Sequence, residues 1–471
     1  MNAIRPAVIA FSVALSACVP IPSIAPLSGS LPDTSLGLTA GVSAPMQVSD
    51  WWTAFGDAQL DRLMQDALSR NPNLGQVMAR MREAQATVEL AGSFLYPSVS
   101  YDAQEIHQRF SETSVIPPPF AGGTYWQGTQ GLNLSWNLDF WGRQSSLLKQ
   151  ASSQSAAVAL DVASARLALS GAVVQIYVDL YRNYALADLA KRAVAQHRQI
   201  LNITSRRANV GLDTKDRLSE ADGAISQAQM ELKQLQASIE LDIHRLAELS
   251  GHGASAYSGI ERPHLDPAIA LPLPAELPAD LLGRRPDVLA ARNRVDAAGA
   301  GQAAAKSAFY PDVNLAAFVA TSAIGYSNLF KSASETYGIG PAIHLPIFDA
   351  GGLKARYRGA TAEIDEAVNG YNAAVLQAVK QVSDQLSMIH ALDTELVVQQ
   401  KLLNDSETTY HLAEERYHRG LASHLTLLNA ETQVLSARRQ RVELVSAQAV
   451  ARIKLLLAVG GSFDPHAPLP L

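Results

Sequence analysis

The chain contains two copies of one pattern, and this repeat limits its architecture more than any other feature. Residues 71–101 align with residues 285–315 at a shift of 214 positions, and the matches continue in the same order towards the C-terminus. The aligned pairs, at shifts between 209 and 214, include Tyr96 with Tyr310, Asp139 with Asp349, Gly211 with Gly420, and Gly251 with Gly460. Matches in one order at a nearly constant shift indicate duplication of one structural unit. We therefore predict a first repeat at 50–262 and a second repeat at 263–471.

Each copy ends in a long stretch without proline. Proline is absent from 120–262 and from 347–464. Because one proline inside a helix costs about 3 kcal/mol, such stretches permit long helices. Apolar residues recur there at helical spacing, as in Leu169, Val173, Ile176 and Leu180, and in Ile225, Ala228, Leu232, Leu235 and Ile239. We predict helices within about 141–250 and 350–460. A single helix over 143–208 would be about 100 Å long, which suits a protein that crosses the periplasm.

Alternation of apolar and polar residues marks four segments as strands, because the side chains of a strand alternate between its two faces. The alternating segments are 98–109, 125–139, 312–319 and 337–347. The second is the clearest, and the first is the least regular. We predict a pair of strands within about 98–139 and another within about 311–347. Their lengths fit the roughly 9 to 11 residues that a tilted membrane strand needs.

Four strands are too few for one chain to close a barrel. Open sheet edges are not tolerated in lipid, and membrane barrels need about eight strands or more. If the strands lie in a membrane, the chain must therefore share a barrel with other copies of itself. Two chains would form an almost filled barrel of eight strands, whereas three would form twelve strands around an open lumen.

The N-terminus predicts export from the cytoplasm. Arg5 is followed by an apolar stretch, and residues 1–17 have the form of a short secretory signal peptide. The stretch ends in Leu-Ser-Ala before Cys18, which is the only cysteine, so the chain cannot form an internal disulfide. Residues 18–49 form a segment rich in proline, serine and glycine, which indicates a tether.

Composition and motifs exclude several classes of function. The net charge of −6 argues against a nucleic-acid-binding protein, which normally needs a basic face. Beyond residue 18, no run of about 18 uninterrupted apolar residues indicates a membrane-spanning helix. The sequence lacks the G-x-S-x-G, H-E-x-x-H and P-loop motifs, so we expect no enzyme activity, metal or cofactor. A metal site at His411, His418 and His424 is disfavoured, because a turn interrupts the helix that would align them.

A glycine marks the turn between the two long helices of each copy. The first turn contains Gly211, Leu212, Asp213 and Asp216, and the second contains Gly420, Leu421 and His424. These turns lie at the ends of the long helices, and if the shared barrel is a channel, we predict that they form its periplasmic tip and gate. Asp213 and Asp216 would favour cations, while Lys215 and Arg217 would offset part of their charge. The polar residues after each glycine would also serve as N-caps, and capping alone stays an open alternative.

Six motifs follow one another along nearly the whole chain. They are DWWTAFGD at 50–57, SWNLDFWGR at 135–143, LLGRRPDVLAA at 281–291, AAKSAFYPDVNL at 304–315, LPIFDAGG at 345–352 and RYHRGLASHLTLLNAE at 416–431. Together they resemble the TolC/OprM-type outer-membrane factor family, in the lipoprotein (NodT-like) branch of RND-type efflux systems. The resemblance implies a mainly α-helical subunit with membrane β-strands. In this fold class, three chains form a twelve-stranded β-barrel that is continued by a long α-helical barrel.

The resemblance also implies an anchor, partners and a function. Cys18 and the residues before it resemble a lipobox, and Val19 replaces the aspartate that retains such proteins in the inner membrane. A lipid anchor in the outer membrane is therefore implied. The family implies docking to a periplasmic adaptor (membrane fusion) protein and to an inner-membrane transporter of the RND type. The expected function is that of a passive exit duct for drugs or other toxic small molecules.

Two other functions stay open at the level of the sequence. Within the channel class, the chain could serve a type I protein secretion system, because the fold alone does not define the cargo. In a different class, it could be a coiled-coil structural lipoprotein that forms no channel. The alternating strands argue against that second alternative, since a spacer needs none.

Overall fold

The computed structural model describes residues 21–32, 36, 50–113, 115–267, 274 and 281–464. The predicted signal peptide, Cys18 and most of the predicted tether lie outside the described residues.

Each repeat contains short helices, a β-hairpin and two long helices. The first contains a 3-10 turn at Trp51–Phe55, α1 (Ala58–Arg70), α2 (Pro72–Ser93), β1 (Ser98–Arg109), β2 (Thr124–Asn137), α3 (Arg143–Asn209), α4 (Lys215–Leu249) and a 3-10 turn at Ala254–Gly259. The second contains a helical turn at Leu281–Arg284, α5 (Pro286–Ser307), β3 (Asp312–Ile324), 3-10 turns at Tyr326–Asn328 and Ser332–Ser334, β4 (Glu335–His344), α6 (Gly352–His418) and α7 (His424–Ala458). The helices α3 and α6 both have 67 residues, and α4 and α7 both have 35.

Proline and aspartate define where several helices begin. Pro72 and Pro286 occupy the first position of α2 and α5, where the missing N–H removes no helical hydrogen bond. The carboxylate of Asp139 accepts hydrogen bonds from the N–H groups of Gln144 at 2.8 Å and Ser145 at 2.9 Å. These bonds satisfy free donors in the first turn of α3.

The strands form one antiparallel sheet in the order β1-β2-β3-β4. Because β2 and β3 belong to different repeats, the sheet joins the two copies. Leu132 lies opposite both Tyr101 and Val319, and Val319 lies opposite Tyr337. With side chains alternating along each strand, one face collects the apolar residues. They include Val99, Tyr101, Leu132, Leu134, Trp136, Leu315, Ala317, Val319, Tyr337, Ile339 and Ile343.

The opposite face of the sheet is polar. Asn133 Nδ2 donates to Asp102 Oδ2 at 2.7 Å, and Asn314 Nδ2 donates to Ser135 Oγ at 2.9 Å. Both bonds connect neighbouring strands, so the polar side chains reinforce the backbone pairing. The alternation is clear in β2 and β3, but in β1 it fails beyond Tyr101, where the apolar face carries Glu105 and the polar face carries Ile106.

Two compact units share the chain, and each contains parts of both repeats. The first unit contains Arg80–Val158, Ala290–Asn372 and the residues before Leu31. The second contains Leu31–Ala79, Ala159–Leu289 and Ala373–Leu471. The sequence repeat is therefore not a compact domain, because the hairpin of each copy pairs with the hairpin of the other.

The second unit has an apolar core to which both repeats contribute. Its fully buried side chains include Leu60, Met64, Tyr177, Leu180, Leu246, Ile453 and Leu456. Trp51 and Trp52 are also buried in this core, with their rings 6.1 Å apart in an edge-to-face arrangement. Burial of such rings contributes more apolar area than any other residue type.

Among the described helices, α3 is the one that is long and apolar enough to cross a membrane. The core helix of a soluble protein meets the same criterion, so this property by itself carries little weight. The buried residues Val173, Tyr177 and Leu180 of α3 belong to the core of the second unit, which accounts for its apolar composition.

Candidate functional site

The polar face of the sheet offers a surface suited to water and polar solutes. A depression of about 840 Å³ lies on it, lined among others by Asp102, Gln104, Thr129, Asn133, Ser322 and Thr336. Phe318, Ile106 and Ile324 are large apolar exceptions on this face, and the ring of Phe318 covers Gly338 on the neighbouring strand. A Cβ atom at Gly338 would lie 2.8 Å from Phe318 Cε1, so a side chain there would require the Phe318 ring to move.

The first helix–helix turn ends α3 with a left-handed glycine. Gly211 has φ of 75°, which an L-residue with a side chain rarely adopts. The N–H of Gly211 donates to Ala208 O at 3.1 Å, and that of Leu212 donates to Arg207 O at 2.8 Å. This pair of bonds is a Schellman motif, which satisfies the last carbonyls of the helix.

The second turn repeats this geometry at the end of α6. Gly420 has φ of 73°, and its N–H donates to Tyr417 O at 2.9 Å. The N–H of Leu421 donates to Arg416 O at 2.8 Å. Ser423 then caps α7, as Thr214 caps α4 in the first copy. Both glycines are therefore C-caps of the long helices that they end.

The two turns expose apolar side chains at matching positions. Leu212 is 69% exposed and Leu421 is 75% exposed, and each directly follows its glycine. Large apolar side chains at this level of exposure are suited to contact with another protein or with a permeating solute.

The ion pairs of the first turn differ from those predicted from the sequence. Asp213 Oδ2 lies 3.1 Å from Arg207 Nε, and the Asp213 side chain is only 17% exposed. Arg217 instead pairs with Glu220, at 2.9 Å. Asp216 lies in the first turn of α4, where a negative charge interacts favourably with the helix dipole. The charge of Asp213 is therefore offset by Arg207 rather than by Lys215 or Arg217.

The second turn carries aromatic rather than acidic groups. The imidazole of His424 stacks on the ring of Tyr417, with centroids 4.9 Å apart. His411 Nδ1 lies 3.5 Å from Glu414 Oε2. Within the described part of the chain, no group of three or more His, Cys, Asp and Glu residues is arranged to hold a metal ion.

A buried polar network, which the sequence interpretation missed, lies within the second unit. The hydroxyl of Tyr177 donates to Asp57 Oδ2 at 2.7 Å, and the backbone N–H of His264 donates to the same oxygen at 2.8 Å. Gln59 donates to the carbonyl of Glu261 and accepts from its N–H. The network attaches the segment between the repeats to α1 and α3. The sequence signal for this network was the DWWTAFGD motif, in which Asp57 is the last residue.

Burial and hydrogen bonding act in opposite directions on Asp57. Burial alone would raise the pKa of its carboxyl group, but the hydrogen bonds from His264, Tyr177 and Gln59 outweigh burial and lower it. The pKa of the Tyr177 hydroxyl is raised by burial and by the adjacent carboxylate. Tyr177 therefore stays a neutral donor.

The two repeats place different residues at the same structural contact. Asn71 Nδ2 donates to Leu249 O at 2.9 Å, and Arg285 Nη1 donates to Ala458 O at 2.8 Å. In each copy the donor precedes a helix that begins with proline, and the acceptor ends the last long helix. Arg285 additionally pairs with Asp287, through Nη2 and Oδ2 at 2.6 Å.

The family model described as "Outer membrane efflux protein" matches residues 63–252 and 277–461. The chain belongs to the outer membrane efflux protein family. The two matches cover most of the chain, and one lies in each half of the sequence.

Individual relatives agree with membership of this efflux family. The chain is 33% identical over 366 residues to the fusaric acid resistance protein FusA of Burkholderia cepacia, covering 76% of this chain and 69% of FusA. It is 28% identical over 458 residues to the pyoverdine export outer membrane protein OpmQ of Pseudomonas aeruginosa, covering 96% and 95%. The solved structure of the outer membrane protein VceC from Vibrio cholerae superposes with a TM-score of 0.81 at 33% identity, covering 89% and 100%. The Campylobacter jejuni CmeC outer membrane channel, at 21% identity, has the same fold, with a TM-score of 0.84 and 96% coverage of both chains.

The efflux protein is therefore an outer-membrane exit duct of an efflux pump, which spans the outer membrane and extends into the periplasm. Members of its family are channels rather than enzymes. The fold class and the function inferred from the sequence are both confirmed by these relatives. The apolar face of the sheet supplies a surface for lipid, and the polar face supplies a surface for an aqueous path.

Proposed function

We propose that three copies of this chain close one twelve-stranded barrel and pass small molecules through it. The observation that carries the proposal is the four-stranded sheet with one apolar and one polar face. In the described sheet, β1 and β4 are the edge strands, and lipid does not tolerate an open edge. Pairing of β1 with β4 of the next copy removes every edge, and three copies leave an open lumen.

Adjacent residues on opposite faces of β2 give a matched test of this arrangement. Leu134 lies on the apolar face and Asn133 on the polar face. Leu134→Arg places a charge in lipid, which costs about 2–4 kcal/mol near the bilayer midplane, whereas Asn133→Arg places it in water. We expect Leu134→Arg to lower the fraction of folded protein in the outer membrane, and Asn133→Arg to leave it near the wild-type level.

The number of chains is tested by the native mass of the detergent-solubilised protein. We expect a mass of three protomers for wild type and for Asn133→Arg. A stable monomer that conducts ions in planar bilayers would contradict the shared barrel.

The proposed partners are a periplasmic adaptor protein and an inner-membrane transporter of the RND type. Membership of the efflux family supports this proposal, and the names of the relatives refer to small molecules such as toluene and pyoverdine. We expect a strain that lacks this chain to accumulate a small-molecule substrate, and wild type to restore its export. Restored secretion of a protein substrate, without restored small-molecule export, would favour the type I alternative.

The proposed lipid anchor rests on Cys18 and on the Leu-Ser-Ala that precedes it. Cys18→Ser should abolish acyl labelling, while the strands retain their own apolar band for insertion. Absence of acyl mass on the mature wild-type N-terminus would contradict the anchor.

The proposed gate consists of the two helix–helix turns. The first comprises Gly211, Leu212, Asp213 and Asp216, and the second comprises Gly420, Leu421 and His424. Their positions at the ends of the 67-residue helices support a role at the periplasmic end of the duct. The exposed Leu212 and Leu421 would narrow the opening, and the Arg207–Asp213 pair predicts a weak field.

A further inference from the structure

The two loops of the sheet pack on opposite faces. In the β1–β2 loop, Phe110 and Phe120 gather around Tyr125, with ring centroids 6.3 and 5.4 Å from it. Side chains alternate between the two faces of β2. Tyr125 therefore lies on the polar face with Gln127, and Trp126 lies on the apolar face. The β1–β2 loop therefore places its aromatic cluster on the side of the polar face.

The β3–β4 loop, residues 325–334, places Leu329 on the apolar face instead, while Ala333 and Ser334 at its end line the depression on the polar face. Leu329 is 8% exposed, and its side chain covers Gly128 of β2. A Cβ atom at Gly128 would lie 3.0 Å from Leu329 Cδ2. Gly128 shares its face with Leu132 and Leu134, so the loop folds over the outer surface of the sheet.

Hydrogen bonds hold the β3–β4 loop in this position. Gly325, with φ of 88°, donates its N–H to Trp126 O at 2.7 Å. Asn328 Nδ2 donates to Ile324 O at 3.1 Å, and Ser334 Oγ donates to Asn328 O at 2.8 Å. The loop is thus closed by its own polar groups, while its aromatic residues remain available for contact.

The aromatic residues of the loop point away from the protein. Tyr326 is 63% exposed and Phe330 is 70% exposed, and their rings meet edge to face at 6.3 Å. Trp126, on the same face of the sheet, is 50% exposed. Such a group of exposed rings, containing tyrosine and tryptophan, is typical of the interface between lipid and water.

The strands alone supply an apolar band that is too short for the membrane. The apolar residues of β3 extend from Val313 to Val319, which is about 20 Å along the strand and about 16 Å of depth at a tilt near 40°. An outer-membrane barrel needs an apolar band about 25 Å tall. The next outward row on this face contains the polar residues Gln130, Thr321 and Glu335.

The loop lies beyond the apolar band, past the polar row of the same face. Gly128 and Ala323, opposite each other, follow four residues beyond Leu132 and Val319, which adds about 10 Å of depth. Glu105 faces the same row. Carboxylates at this level are incompatible with the hydrocarbon interior but compatible with the headgroup region, so the loop belongs at the interface.

We propose that the β3–β4 loop is a lipid-anchoring element, which folds down the outer face of the sheet and places Tyr326 and Phe330 in the outer-leaflet interface. The partner is the lipid surface itself. Continuity with the apolar face of the strands favours lipid over a second protein. The inference rests on the outer-membrane placement of the sheet, which the family membership provides.

Depth-dependent quenching of a single fluorophore tests the proposal. Full-length Phe330→Cys is labelled with an environment-sensitive dye and reconstituted into phosphatidylcholine vesicles, with labelled wild type giving the contribution of Cys18. Val115→Cys, at the 99% exposed tip of the β1–β2 loop, is the matched control. We expect lipid-borne nitroxide to quench the dye at 330 several-fold more than the dye at 115, and iodide to show the opposite preference.

A second pair of variants tests the contact between Leu329 and Gly128. Leu329→Ser removes the contact with Gly128 and should move the dye at 330 from lipid into water, whereas Leu329→Met should leave it in lipid. Iodide quenching at 330 as strong as at 115, in the parent Phe330→Cys protein, would overturn the proposal. Protection of this dye from both quenchers would overturn it as well, because the loop would then be covered by protein. Native mass of the same samples separates this failure from a failure to assemble.

Discussion

The two repeats have the same backbone arrangement, but different side chains stabilise it. Gly251 and Gly460 both end the last long helix of a copy, and each approaches the carbonyl of the residue before Asn71 or Arg285. The donor that reaches the helix end is an uncharged amide in the first copy and a guanidinium in the second. The comparison indicates that close backbone approach is constrained in both copies, whereas the polar group beside it is replaceable.

Glycines at the helix–helix turns differ from glycines at the helix ends. A Cβ atom at Gly211 or Gly420 would meet nothing within 4 Å. A Cβ atom at Gly251 would lie 2.7 Å from Arg70 O, and one at Gly460 would lie 2.2 Å from Arg284 O. All four have positive φ, so only the last two combine backbone strain with a steric clash.

The largest effect that we expect comes from replacing a glycine at a helix end, such as Gly460, with alanine. Left-handed backbone costs a residue with a side chain about 1–2 kcal/mol, and overpacking adds about 1–3 kcal/mol. Gly460→Ala should therefore lower the free energy of unfolding by about 2–5 kcal/mol, whereas Gly420→Ala should lower it by about 1–2 kcal/mol. Thermal unfolding in detergent measures both. Equal losses would show that the approach to Arg284 O is not constrained.

A polar pair in the first copy corresponds to an apolar pair in the second. Asn183 Nδ2 donates to the buried Asp242 Oδ2 at 2.7 Å, and the equivalent positions, 209 residues later, are the buried Leu392 and Ala451. Asn183→Leu should cost about 2–3 kcal/mol, because it leaves a buried carboxylate without its hydrogen bond. Adding Asp242→Ala should recover most of that loss, since an apolar pair is well tolerated in the second copy.

The pH dependence of this pair has a definite sign. Burial raises the pKa of Asp242 despite the hydrogen bond from Asn183. The ionised form therefore destabilises the folded state, and the loss in Asn183→Leu should grow as the pH rises through the folded-state pKa. The double variant, which has no carboxyl group there, should lose this pH dependence. Chemical unfolding between pH 4 and pH 8 distinguishes these outcomes, and a pH-independent single variant would contradict the assignment.

The Tyr177 hydroxyl has no counterpart in the second copy, where Leu386 occupies the equivalent position. Tyr177→Phe should cost about 1–2 kcal/mol at neutral pH, because it removes a hydrogen bond to the Asp57 carboxylate. The lowered pKa of Asp57 contributes stability above its unfolded-state pKa, and this contribution is lost as the pH falls through the folded-state pKa. The difference between the variant and wild type should therefore narrow in acid. A difference that stays constant down to the lowest pH at which the protein is folded would point to packing instead.

The smallest effects are expected at the helix–helix turns. Breaking the partly exposed Arg207–Asp213 pair should change the stability by about 0–1 kcal/mol. Its effect on ions should be clearer, because Arg207→Gln leaves Asp213 uncompensated and should increase cation selectivity. Asp213→Ala with Asp216→Ala should reduce it.

Reversal potentials in planar bilayers measure this selectivity. The differences should decrease as salt shortens the Debye length from about 10 Å at 0.1 M. Unchanged selectivity in both variants would place the constriction elsewhere, with Leu421 and His424 as the next candidates.

Much of the secondary structure could be predicted because proline placement and alternation are local properties. The proline-free stretches contain α3, α4, α6 and α7, and each strand overlaps one alternating segment, although β3 continues to Ile324 and β4 begins at Glu335. The partners of charged residues could not be predicted in the same way. Asp213 pairs with Arg207 across the turn, and the Asp57 network joins residues that are up to 207 positions apart.

The way in which the two repeats combine into compact units could also not be predicted from the sequence. A repeat in sequence suggests two similar domains, but β2 pairs with β3 and thereby joins the copies. The outward fold of the β3–β4 loop depends on Leu329 meeting Gly128, and no periodicity connects a loop residue with a glycine of a distant strand.

The pairing of β2 with β3 also determines when the membrane part of the protein can form. Gly131 and Ala320 are neighbours in the sheet but 189 positions apart in the chain, with α3 and α4 between them. During synthesis and export, the helices depend on local contacts and can form early, whereas this pairing must wait for the second copy. A chain interrupted after the first copy would hold only one hairpin, which is marginally stable in water. We therefore expect insertion of the duct into the membrane to require the complete chain.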